Sequence, residues 1–119
     1  MRIAVIGTGY IGLVTGTCLA ETGNNVICVD NDESKIKKLE SGQITIYEPG
    51  LEKLFERNLK EGRLTFTTDL EEGVSESEII FLALPTPPDE NGSADLKHVL
   101  SVSVEIGKLL KHYAVIVDK

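Results

Sequence analysis

The chain has 119 residues, 41% of them hydrophobic, no tryptophan and a formal net charge of −7. That size suits one globular domain over residues 1–119, and no apolar run approaches the roughly 20 residues that cross a bilayer, so the expectation is a cytoplasmic domain with no membrane partner. The acidic balance argues against nucleic acid, because holding a phosphate backbone takes clustered Lys and Arg, whereas Lys35, Lys37 and Lys38 are interleaved with acids.

Apolar runs recur at Ile3 to Ile6, Val26 to Val29, Leu64 to Phe66, Ile79 to Leu84 and Ala114 to Val117. Helical patterns separate them at Tyr10 to Glu21, Glu33 to Leu39, Leu51 to Leu59 and Leu96 to Leu110, with a short helix from Asp69 to Val74 that Asp69 caps. Such alternation predicts an α/β fold, a Rossmann-type doubly wound parallel sheet of five strands in the order 3-2-1-4-5. The last helix presents Leu96, Val99, Leu100, Ser103 and Ile106 at helical spacing, which predicts one buried face. Pro49 suits a first helical position, Asn91-Gly92 a turn, and Asp95 the cap of the last helix. Cys18 and Cys28 each fall within an apolar segment, which predicts buried reduced thiols and neither a disulfide nor a metal site. The sequence stops at the end of the fifth strand without a closing helix, so it reads as a domain truncated there, a piece of a longer chain.

Residues 7–16, GTGYIGLVTG, hold four glycines where the chain leaves its first strand. Gly7-x-Gly9-x-x-Gly12 alone is a weak signal, but here it follows a strand, opens a helix and precedes a second strand that ends in an acid. Gly7 permits the tight turn, Gly9 lets the backbone approach a diphosphate, and Gly12 lets helix and strand pack closely. Gly16 extends that small face. Free N–H groups and the dipole at the helix start suit an anion without a lysine. Asp30, 18 residues after Gly12, can accept two hydrogen bonds from adenosine ribose hydroxyls and would repel a 2′-phosphate, which favours NAD over NADP. Lys35 can reach over the ribose edge, although a solvated lysine accounts for it equally well.

With these residues placed, the chain resembles the N-terminal NAD-binding domain of the UDP-glucose/GDP-mannose dehydrogenase family, its UDP-glucose branch above all. The likeness runs over all 119 residues. It rests on Gly7-Thr-Gly-Tyr-Ile-Gly-Leu-Val14, Gly23-Asn-Asn-Val-Ile-Cys-Val-Asp30, Ile46-Tyr-Glu-Pro-Gly-Leu-Glu52, Leu64-Thr-Phe-Thr-Thr-Asp69, and Pro85-Thr-Pro-Pro followed by Asn91-Gly-Ser-Ala-Asp-Leu96. The resemblance implies a cofactor site of Gly7, Gly9, Tyr10, Ile11 and Gly12 at the diphosphate turn, Asp30 and Lys35 at the ribose, and Thr86 beside the cofactor. It further implies an intact homo-oligomeric enzyme that oxidises the C6 hydroxyl of a nucleotide sugar, UDP-glucose, to a carboxylate with two NAD. The family's catalytic residues are expected beyond this segment, so none is assigned here and the segment alone is expected to be inactive. Thr45 and Pro85 depart from the family's usual residues, both in loops. Two alternatives stand: a GDP-mannose 6-dehydrogenase, and a non-catalytic domain that senses a dinucleotide.

Overall fold

The computed structural model describes residues 1–75, 77–84, 97–110, 112 and 114–118. Among them the chain forms β1 (Arg2–Ile6), α1 (Tyr10–Glu21), β2 (Asn25–Val29), α2 (Glu33–Glu40), α3 (Leu51–Lys60), β3 (Leu64–Thr67), α4 (Leu70–Val74), β4 (Ile79–Leu82), α5 (Lys97–Leu109) and β5 (Val115–Asp118). The strands lie in one sheet in the order β3-β2-β1-β4-β5, and every pair is parallel. The expected strand order is therefore the observed one.

Side chains alternate across each strand, so a parallel sheet buried on both faces needs apolar residues at every position. Ile3, Val5, Val26, Cys28, Leu64 and Phe66 form one face, packed with Leu13, Ala20, Ile36, Leu39 and Phe55. Ala4, Ile6, Val29, Ile80 and Leu82 form the other, packed with Val74 and Ile106. Helices α1, α2 and α3 thus cover one side and α4 and α5 the other. Because β1 sits between β2 and β4, the chain reverses its direction of travel there. That reversal opens a crevice beyond the carboxyl ends of β1 and β4, where open α/β sheets take their ligands.

Four local expectations change. The fourth strand ends at Leu82, which leaves Ala83 and Leu84 to line the crevice. Leu100 is 61% exposed, because α5 turns Val102, Ile106 and Leu109 toward the sheet instead. Cys18 is exposed on α1 while Cys28 is buried. Pro49 lies outside α3: Gly50 is the residue that flanks the helix, with φ 82°, a left-handed conformation open to glycine and costly for other residues. Asp69 does cap α4, accepting from the Glu71 N–H. Asn91, Gly92, Asp95 and Thr86 lie outside the described residues.

Candidate functional site

A cleft of about 730 Å³ lies beyond the carboxyl ends of the central strands, within the usual range for a small-molecule site. Three segments build it. The turn after β1 supplies Gly7, Thr8, Gly9, Tyr10 and Ile11, the end of β2 supplies Asp30 to Asp32, and the end of β4 supplies Ala83 and Leu84; Lys35 on α2 and Glu105 on α5 complete the wall. Of the residues the sequence singles out, Gly7, Gly9, Tyr10, Ile11, Asp30 and Lys35 meet here. Gly12, the third residue of α1, lies in the same first turn and is buried behind them.

The glycines do different things. Gly7 has φ 108°, and a Cβ on it would stand 2.4 Å from the Ala83 carbonyl oxygen; its N–H donates to the Val29 carbonyl at 2.7 Å. The turn is thereby fixed against both neighbouring strands. A Cβ on Gly12 would stand 2.0 Å from the Gly7 carbonyl oxygen, so this glycine lets the helix start directly against the turn. Gly16 packs on Cys28, where a Cβ would stand 3.0 Å from Sγ. Gly9 differs from all three, since among the described residues nothing lies within 4 Å of the place a Cβ would take. It guards open space.

That space faces the amino end of α1. Among the described residues no side chain caps this helix, and its first turn carries no acid, so none of them compensates its leading N–H groups and positive dipole end. By contrast α2 is capped by Asp32, whose Oδ1 accepts from the Lys35 N–H at 3.1 Å. Tyr10 and Ile11 flank the α1 terminus and are each 52% exposed. The Tyr10 hydroxyl donates to Glu48 in the segment before α3, and this bond, then burial, then the Glu48 charge raise the tyrosine pKa.

Asp30 is held from several sides. Its Oδ2 accepts the Thr8 hydroxyl at 2.6 Å and the Thr8 N–H at 3.1 Å, while Oδ1 accepts the Asp32 N–H at 3.0 Å. Lys35 Nζ is 3.7 Å from Oδ2. Partial burial by itself would raise the carboxyl pKa, but the Thr8 hydroxyl, the Asp32 and Thr8 N–H groups and the Lys35 charge outweigh it, and the net shift is downward. Asp30 is therefore a charged acceptor at neutral pH, with Oδ2 taken by both Thr8 donors and Oδ1 by the Asp32 N–H. Sequence reasoning missed Thr8, Asp32 and Glu48. Asp32 carried a signal, being a helix-capping residue type at the start of α2.

These features suit a dinucleotide: an open glycine before an uncompensated helix start for the diphosphate, and a fixed carboxylate at the end of the next strand for a ribose. Residues 1–119 match the model of the UDP-glucose/GDP-mannose dehydrogenase family, NAD binding domain. The chain belongs to this family. It is 53% identical, over 99% of its length and 26% of the relative's, to UDP-glucose 6-dehydrogenase TuaD of Bacillus subtilis. Its fold matches a UDP-glucose dehydrogenase of Pyrobaculum islandicum with a TM-score of 0.94 at 36% identity, covering 99% of this chain and 28% of that one. A ternary complex of GDP-mannose dehydrogenase from Pseudomonas aeruginosa matches with a TM-score of 0.94 at 37% identity, with the same coverage of 99% and 28%. This NAD-binding domain thus spans about a quarter of the length of the curated relatives it matches. Among the described residues no helix is long and apolar enough to cross a membrane.

Proposed function

We propose that this domain holds NAD for the oxidation of UDP-glucose to UDP-glucuronate, as the cofactor-binding part of a UDP-glucose 6-dehydrogenase. The observation that carries the reading is the meeting, in one cleft, of open space at Gly9, the uncapped start of α1 and the fixed Asp30 carboxylate. Identity of 53% to a UDP-glucose relative, against 41% to a GDP-mannose 6-dehydrogenase, supports the sugar.

In this reading the leading N–H groups of α1, around Gly9, Tyr10, Ile11 and Gly12, receive the diphosphate, and Gly7 shapes the turn that presents them. Asp30 and Lys35 take the adenosine ribose. The family resemblance adds Thr86 to this set as a further cofactor residue. Bound NAD supplies the hydride acceptor. Taking an alcohol through an aldehyde to a carboxylate removes two hydrides and adds one water, so each sugar consumes two NAD. No catalytic residue is assigned within this domain. The reading places the enzyme in the cytoplasm as a homo-oligomer. Leu100 and Val104 on α5 and Val115 and Ile116 on β5 are exposed and offer apolar surface for such packing.

The test is NADH formation by the chain as its gene encodes it, with UDP-glucose and with GDP-mannose. Two NADH per UDP-glucose, and far less with GDP-mannose, are expected. Preference for GDP-mannose would move the protein to the other branch. Tight NAD binding with neither sugar oxidised would favour a dinucleotide sensor.

A further inference from the structure

Thr8 stands between Gly7 and Gly9 and is 0% exposed. Both of its donors go to one atom: the hydroxyl and the N–H each reach Asp30 Oδ2, at 2.6 and 3.1 Å. A carboxylate offers about four lone-pair sites, two on each oxygen. Thr8 fills those of Oδ2. The Asp32 N–H takes one site on Oδ1 at 3.0 Å, which leaves a single open acceptor on Oδ1. Rotating the carboxylate would break both Thr8 bonds together, so its orientation is fixed before any ligand arrives.

We propose that Thr8 is a positioning residue for cofactor choice: by holding Asp30 Oδ2 it turns Oδ1 toward the adenosine ribose and keeps a full negative charge where a 2′-phosphate would have to lie. The inference rests on the reading that Asp30 faces that ribose. It also changes the expected count, since a carboxylate so engaged accepts one ribose hydroxyl where an unengaged one would accept two.

A charge rejects a phosphate only while it cannot move away. Freed of the Thr8 hydroxyl, Asp30 can swing aside, and Lys35, now 3.7 Å from Oδ2, is released to pair with the phosphate. Both changes favour NADP. A residue that merely filled buried space would act differently, because its loss would weaken NAD and NADP alike. Thr8→Val keeps the β-branched shape and the backbone N–H bond and removes only the hydroxyl.

The experiment titrates NAD and NADP by calorimetry into the wild-type chain, Thr8→Val, Thr8→Ser and Asp30→Asn, with circular dichroism on each. Thr8→Val is expected to narrow the preference for NAD about fivefold, a modest part of what a hydrogen bond to a charged group is worth, while Thr8→Ser stays within about twofold of wild type. Where Thr8→Val fails to fold, Thr8→Ala makes the same comparison. A folded hydroxyl-free variant with the wild-type preference, or with both affinities reduced equally, overturns the proposal. If Asp30→Asn collapses the preference and Thr8→Val leaves it intact, only the role of Thr8 fails. Equal wild-type affinities for NAD and NADP, or no effect of Asp30→Asn, overturn both the proposal and the reading beneath it.

Discussion

Gly9→Ser should make the domain more stable and the cofactor bind more weakly. Gly9 has φ −76° and ψ −163°, an extended conformation open to any residue, and a Cβ there would meet nothing within 4 Å. The substitution therefore costs no steric energy. A serine at this flanking position can accept from an N–H in the first turn of α1, which is worth a few tenths of a kcal/mol over glycine. Restricting the unfolded chain adds about 0.4–1 kcal/mol. Together these raise stability by about 1 kcal/mol, or a few degrees in Tm for a domain of this size. The same hydroxyl takes an N–H that the diphosphate would use, and its bulk enters the space the phosphates need. A loss of NAD affinity of about tenfold or more, ~1.4 kcal/mol, is expected. Thermal unfolding and calorimetric titration of one preparation read both effects. Unchanged NAD affinity in the more stable variant would mean that the diphosphate does not sit at the α1 terminus. A fall in stability would mean that the space at Gly9 is not open.

Burial pushes the Cys28 thiol up to about 12, and the thiolate is the reactive form; an alkylating reagent at neutral pH should modify the exposed Cys18 alone, and rapid labelling of both thiols in folded protein would contradict the buried site. Tyr10 should lose its proton later than an unpaired tyrosine, because its bond to Glu48 raises its pKa; the bond's contribution is full below the ordinary tyrosine value and is lost as pH rises through the raised one. Ultraviolet titration should therefore show a late tyrosine that Glu48→Gln shifts earlier, and an unshifted curve would refute the pairing. Because Asp30, Asp32 and Glu105 line the cleft, the preference for NAD over NADP should narrow between about 0.1 and 1 M salt, as the screening length falls from ~10 to ~3 Å. A preference that ignores salt would remove repulsion from the explanation.

The sheet was legible because β1, β2 and β4, buried on both faces, are apolar at nearly every position, and the edge strand β3 still sets Leu64 and Phe66 inward between threonines. The course of the α5 face was not. Leu100 and Val102 are both apolar, and only packing against the core cluster on that face of the sheet decides that Val102 turns inward. Asp30 could be found because it ends a strand at a fixed distance from the glycines. Its bond to Thr8 could not, since a threonine between two glycines has no period and no partner within the turn. What joins them is strand pairing. Ile6 lies opposite Val29, so the residues following each strand emerge side by side, 22 positions apart in sequence. Register, which depends on the whole sheet, carries that information.

The acidic net charge and the anionic ligand are reconciled by where the positive potential resides. Among the described residues lining the cleft Lys35 is the one cation, and it already stands beside Asp30. In the proposed reading the diphosphate is held by the backbone: by N–H groups and a helix dipole that no substitution of a surface charge can remove. Side chains are left with a different task. A dipole receives any diphosphate equally, so it cannot tell NAD from NADP, and discrimination falls to a fixed negative charge at the ribose. Thr8 belongs to both parts, its backbone in the turn that opens α1 and its hydroxyl on the carboxylate that chooses. If the proposed reading holds, a change in the turn reaches Asp30 through the Thr8 bonds, which would couple affinity to selectivity through one residue.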